Sequence, residues 1–78
     1  MTLPGIELLL PDAPAWQAWL TEHHATVPAV WLVQSKKGGT VTGLDYAGAL
    51  QEALCFGWID GQTRRRDEGS TFQRWTPR

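Results

Sequence analysis

The residues able to do chemistry gather in the last quarter of the chain. Cys55-Phe56-Gly57-Trp58-Ile59-Asp60-Gly61 runs toward Arg64-Arg65-Arg66, and Gln73-Arg74-Trp75-Thr76-Pro77-Arg78 follows a short break. An arginine near a carboxylate and an indole can pair with one and stack on the other. It can also hold its guanidinium fork open to an anionic ligand, with an indole as the wall. Asp60, Arg64 and Trp75 are the candidate set for that chemistry, with Trp58 and Arg74 beside them. The competing reading of the same residues is a structural salt bridge that caps a helix-to-strand junction.

Other reactive residue types read as structural. His23-His24 has no Ser or Cys nucleophile beside it, and a histidine at a helix end suits the negative end of the dipole. Cys55 falls near a helix C-terminus with Glu52 close by, and both features oppose a thiolate, so an inert packed thiol is expected. One cysteine excludes an internal disulfide, and with two adjacent histidines it makes no zinc pattern, so neither metal nor cofactor is expected. Lys36-Lys37-Gly38-Gly39 lacks the spacing and the Ser or Thr of a phosphate loop and reads as a solvated turn. Arg64, Arg65 and Arg66 alternate faces if they lie in a strand, so no nucleic-acid patch is expected from them.

Elements that could position the candidate set follow from periodicity. Residues 1–11 look extended. Asp12 reads as an N-cap with Pro14 in the first turn. Trp16, Trp19, Leu20 and His23 then lie at i, i+3, i+4 and i+7, which predicts an amphipathic helix ended by Val27-Pro28. The apolar, β-rich run over 29–33 predicts a central strand covered on both faces. Thr42-Gly43-Leu44-Asp45 resembles a capping box before a second helix over 46–57. Its inner face collects Tyr46, Ala47, Ala49, Leu50, Ala53, Leu54 and Gly57, with Gly57 as the stop. Gly48 and Cys55 line the opposite side, either as ordinary solvent-facing positions or as a docking line for another backbone.

Residues 59–66 and 70–76 read as a hairpin. With Glu68-Gly69 as a two-residue loop, Arg66 faces Thr71, Arg64 faces Gln73 and Gln62 faces Trp75. That register puts Trp58, Asp60, Arg64 and Trp75 on one face and Arg74 on the other. The expected fold is a single α+β domain over 1–78, two helices packed on a short antiparallel sheet made of one central strand and the C-terminal hairpin.

A chain of 78 residues buries only about 60–65% of its unfolded surface, and nothing here staples it. Five tryptophans, two phenylalanines and one tyrosine must therefore supply the bulk. Net charge is −1, which sets up no field toward nucleic acid. The charge is uneven: residues 1–60 carry two lysines against six acids, net −4, and residues 61–78 carry five arginines against Asp67 and Glu68, net +3. The basic end suits a small anion or an acidic patch on a partner. The first eleven residues have no basic region, and Pro4, Gly5 and Glu7 break their apolar run, so neither a signal peptide nor a membrane span is expected and the cytoplasm is the expected location.

From Trp16 to Arg78 the chain resembles the bacterial YdeI/OmpD-associated family, also labelled bacteriocin-protection proteins. The motifs are Val30-Trp31-Leu32-Val33 with Lys36-Lys37, Leu44-Asp45-Tyr46, Glu52-Ala53-Leu54-Cys55-Phe56-Gly57-Trp58-Ile59-Asp60 and Gln73-Arg74-Trp75-Thr76-Pro77-Arg78. The resemblance implies no defined reaction, and a link to envelope stress or protection from antimicrobial peptides and bacteriocins. Similar chains carry Ser at the place of Gly61 and an aliphatic residue at that of Arg66, and they continue past the place of Arg78, so the chain is expected to match their N-terminal part, with a surface covered there left open here unless self-association hides it. The expected function is a non-enzymatic binding or interaction module with Trp58, Asp60, Arg64, Arg74 and Trp75 at its contact surface. The alternative is an enzyme or ligand-binding protein acting on a small anion through the same arginines. A protein partner, a small anionic ligand or a second copy of the chain are the partners this implies.

Overall fold

The computed structural model describes residues 5–36, 39 and 41–78. The expectations for residues 1–4, and for Lys37 and Gly38 in the predicted turn, lie outside the described residues. The elements in chain order are β1 (Ile6–Leu8), α1 (Ala13–His23), β2 (Val30–Ser35), α2 (Tyr46–Cys55), β3 (Trp58–Arg65) and β4 (Ser70–Pro77). Among the described residues no helix is long and apolar enough to cross a membrane.

The fold is α+β, but its sheet corrects the expected one. Four strands stand in the order β1-β2-β4-β3 and the sheet is mixed. β1 runs parallel to β2 with Ile6 opposite Val30 and Leu8 opposite Leu32, while β2–β4 and β4–β3 are antiparallel. The added strand is short because Gly5, at φ 101°, and Pro11 bracket the apolar run. Its parallel pairing comes from the α1 crossover and not from a hairpin.

Helix starts follow side-chain caps. Asp12 accepts from the Ala15 amide at 2.9 Å, with proline in the first turn of α1. The cap of α2 is Asp45, whose Oδ1 accepts from the Gly48 amide at 2.8 Å. This replaces the expected Thr42 capping box. Thr42 is buried and spoken for: its hydroxyl donates to the Leu10 carbonyl and accepts from the Leu44 amide. α2 ends at Gly57, whose φ of 73° favours a residue without Cβ.

Both helices pack on one face of the sheet. Trp16 and Leu20 of α1, Ala49 and Ala53 of α2, Val30, Leu32, Trp58 and Trp75 of the sheet, and Leu44 form the core. The buried face of α2 is narrower than the wheel predicts. Ala49 and Ala53 are buried, but Leu54 is 57% and Tyr46 44% exposed. Gly48, expected on an outward line, lies against α1, where a Cβ would meet the Ala13 Cβ at 3.9 Å.

Candidate functional site

The predicted site residues sit on β3 and β4, and the hairpin loop sets their phase. That loop spans residues 66–69, not the two expected. The Asp67 carboxylate builds it: Oδ1 accepts from the Gly69 amide at 2.9 Å and the Ser70 hydroxyl at 2.8 Å, and Arg66 donates to Oδ2 at 2.8 Å. These bonds, the Ser70 contact foremost, hold the Asp67 carboxyl below its ordinary pKa. The ladder therefore begins with Arg65 opposite Thr71, one residue off the expected register.

A second shift follows. Arg64 opposes Phe72 and Thr63 opposes Gln73, but Asp60 opposes Trp75, so two residues, Gly61 and Gln62, stand against the single Arg74. This is a β-bulge, and it swaps the faces of everything beyond it. Gln73 holds it in place. Its side-chain amide donates to the Gly61 carbonyl at 2.9 Å and the Gln62 carbonyl at 3.3 Å, and its oxygen accepts from the Thr63 hydroxyl at 2.8 Å. Gln73 is 4% exposed, so it closes the irregular backbone from the helix side.

The bulge separates the expected cluster. Trp58, Asp60 and Trp75 share the helix face, whereas Arg64 joins Phe72 and Arg74 on the back face of the sheet. No Asp60–Arg64 pair forms. Asp60 instead accepts from the Tyr46 hydroxyl at 3.1 Å, and that bond is the main cause raising the Tyr46 pKa above its ordinary value. Arg64 reaches Gln62 Oε1 at 3.4 Å. Among the described residues Arg66–Asp67 is the ion pair between permanently charged partners, and His23 Nε2 lies 3.7 Å from Glu22, so no carboxylate answers Arg64 or Arg74.

Trp58 and Trp75 belong to the core and not to a contact surface. Trp58 packs edge-on against Trp16 and Trp19, with ring centres 6.5 Å and 6.1 Å away. Trp75 leans on Trp16 at 6.4 Å, stacks with Tyr46 at 6.2 Å and donates its indole N–H to Gln34 Oε1 at 3.3 Å. Both are fully buried. Burial is the physical outcome for a small chain whose bulk is aromatic.

What remains accessible is the β3–β4 half of the back face: Ile59, Arg64 and Arg74 exposed, Phe72 half-buried. Across the sheet on the same face, Trp31 opposes Arg74 and Val33 opposes Phe72, and both are buried. Motif reading missed Phe72 and Tyr46 as site residues. The signal that could have found the arrangement is Gly61, since a glycine inside a strand marks a bulge.

The two histidines resolve as structural. His24 packs on Phe56 and its Nδ1 lies 2.7 Å from the Leu20 carbonyl; His23 packs on Trp19. Cys55 is exposed, not packed as expected, and its thiol donates to the Gln51 carbonyl at 3.4 Å. No group of three metal-ligating side chains occurs among the described residues. A cleft of about 360 Å³ lies by the loop before α2, lined by Ser35, Lys36, Gly39, Thr42, Gly43, Leu44 and Asp45. None of the predicted site residues reaches it.

No curated protein and no solved structure matches the chain. Residues 8–78, which take in both helices, β2 and the whole β3–β4 ribbon, match the domain of unknown function DUF8412, and the chain belongs to that family.

Proposed function

We propose that this domain is a non-enzymatic binding module that docks an acidic segment of a partner protein on the β3–β4 half of the sheet's back face. The observation that supports the reading is the placement of Arg64 and Arg74 on one exposed face, flanking Phe72, with no carboxylate in reach among the described residues. Unpaired guanidinium forks on a flat sheet suit carboxylates of an extended chain, and the ring between them offers apolar contact. Arg74 and Arg64 are thus retained from the expected surface, Asp60 lies on the other face, and Trp58 and Trp75 support from beneath.

The small-anion alternative needs concavity around the arginines, and the cleft by the loop before α2 lies elsewhere. The motif resemblance to the YdeI/OmpD-associated family is the support for a role in envelope stress or in protection from bacteriocins and antimicrobial peptides. A cytoplasmic setting goes with the single unpaired thiol.

A fluorescent poly-glutamate peptide serves as the probe. Binding should be salt-sensitive, and the double substitution Arg64→Ala, Arg74→Ala should weaken it roughly five- to tenfold, as expected for two exposed charge contacts of about 0.5–0.7 kcal/mol each. Arg78→Ala, away from Phe72, should leave it nearly unchanged. Peptide binding that ignores the double substitution, or no binding at low salt, would sink the reading.

A further inference from the structure

The sheet has two outer strands. β1 has three residues, but β3 has eight, all exposed except Trp58. An uncovered strand of that length presents unpaired backbone groups, a template for another strand. Which residues present them follows from the ladder. The Arg78 amide donates to the Gly57 carbonyl at 2.8 Å, so Gly57 and Ile59 turn their backbone groups toward β4, and Trp58 and Asp60 turn theirs outward. Beyond the bulge the Arg66 amide donates to Ser70, so Arg66 and Arg64 turn inward, and Thr63 and Arg65 outward. Asp60 and Arg65 therefore share two properties. Their backbone groups face the open edge, and their side chains lie on the helix face.

We propose that the chain forms a two-fold symmetric dimer by antiparallel pairing of β3 with β3 of a second copy. An axis at Thr63 sets Thr63 opposite the partner's Thr63, Asp60 opposite the partner's Arg65 and Arg65 opposite the partner's Asp60, with Gly61 and Gln62 standing against the partner's Arg64 as they stand against Arg74 within the chain. Charge complementarity selects a second copy as the occupant: the strand carries a carboxylate at one end and a guanidinium at the other, each the next outward-facing position from Thr63. Asp60 offers an oxygen for it, since only Oδ2 accepts from Tyr46 among the described residues.

The helix above the edge supplies the apolar part. Tyr46, Leu50 and Leu54 recur every four residues along α2, and Leu54 is 57% and Tyr46 44% exposed. The opposite flank of α2 is occupied by α1, through Gly48 against Ala13 and Phe56 against His24. The ridge thus overhangs β3. Tyr46 bridges Trp75 of β4 and Asp60 of β3, which sets α2 above that strand pair. Tyr46 stands at Asp60, on one side of the axis, so each ridge faces the Arg65 end of the other copy's β3. The same axis keeps both copies' back faces on one side of a continuous eight-stranded sheet, so the proposed binding surface plays no part in the contact.

The test is sedimentation equilibrium or light scattering on the full chain over a concentration series. A dimer with a dissociation constant on the order of micromolar is expected. Arg65→Asp should shift it to monomer, and the exchange Asp60→Arg with Arg65→Asp should restore the dimer. Leu54→Glu, a fully outward helix position, should also give monomer, with circular dichroism showing that each variant is folded. A monomer up to about 1 mM overturns the proposal. So does a dimer indifferent to Arg65→Asp and Leu54→Glu, or a charge exchange that fails to restore association. Poly-glutamate binding depends on Arg64 and Arg74, so the two proposals fail separately.

Discussion

At the scale of single residues, Tyr46 and Gln73 decide what the arginine-rich ribbon looks like. Tyr46 is the chain's one tyrosine, which makes its ionisation directly readable by ultraviolet difference spectroscopy. Its hydroxyl donates to Asp60, so the protonated phenol is the form the fold favours and its pKa lies above the ordinary value. The sign of the linkage follows. This contribution to stability is complete below the unfolded tyrosine pKa and is lost as pH rises through the folded one. Asp60→Asn should bring the Tyr46 titration down toward its ordinary range, and Tyr46→Phe should remove that alkaline part of the stability profile. An unchanged Tyr46 titration in Asp60→Asn would refute the pairing. Asp67 works in the opposite sense: its lowered pKa adds stability above the unfolded carboxylate pKa, lost as pH falls through the folded value. Gln73 acts on the backbone itself. Replacing it by Ala strands the Gly61 and Gln62 carbonyls beneath the helix face and should cost about 1–3 kcal/mol in urea unfolding, whereas Gln62→Ala, on the exposed side of the same bulge, should cost well under 1. Equal losses for the two would remove Gln73 from its place as the brace.

At the scale of elements, local signals were legible wherever they were local. Asp12 with Pro14 marks the start of α1, the unbroken apolar run marks β2, and Gly57 marks the end of α2. The two helices and the hairpin follow from these. β1 did not, because the alternation of Ile6-Glu7-Leu8 is too short to distinguish a strand, and its pairing depends on where α1 returns the chain. The hairpin register was out of reach of a two-residue loop rule because Asp67 draws Gly69 and Ser70 into a longer turn. The site suffered most. One residue of slip moves a whole strand's side chains to the other face, so a bulge at Gly61–Gln62 was enough to part Arg64 from Asp60. Read alone, Trp58 and Trp75 satisfy both a core and a ligand wall. Only the demand for bulk in a small unstapled chain decides for the core.

At the scale of the whole molecule, the question is what a 78-residue chain with one cysteine uses in place of an internal disulfide. Its radius of gyration of 11.4 Å is about what a compact chain of this length should have. Four of the five tryptophans meet on the helix side of the sheet, and Trp16 is the one that touches the other three, with ring centres 5.6 Å from Trp19, 6.5 Å from Trp58 and 6.4 Å from Trp75. Its indole also donates to the Ala49 carbonyl at 3.1 Å, tying α1 to α2 through a buried bond. Trp16 thus joins both helices, the start of β3 and the end of β4. A chain of this size holds a total stability of roughly 4–12 kcal/mol, and truncating a fully buried tryptophan costs about 3–5. Trp16→Ala should therefore abolish the near-ultraviolet circular dichroism and the cooperative urea transition, or leave only a small fraction of the fold at 25 °C. Trp19→Ala, on the same helix but half-buried, should lower the midpoint and keep the transition cooperative. If Trp16→Ala unfolds within about 1 kcal/mol of the parent chain, the core is distributed over the sheet and does not hang on this indole.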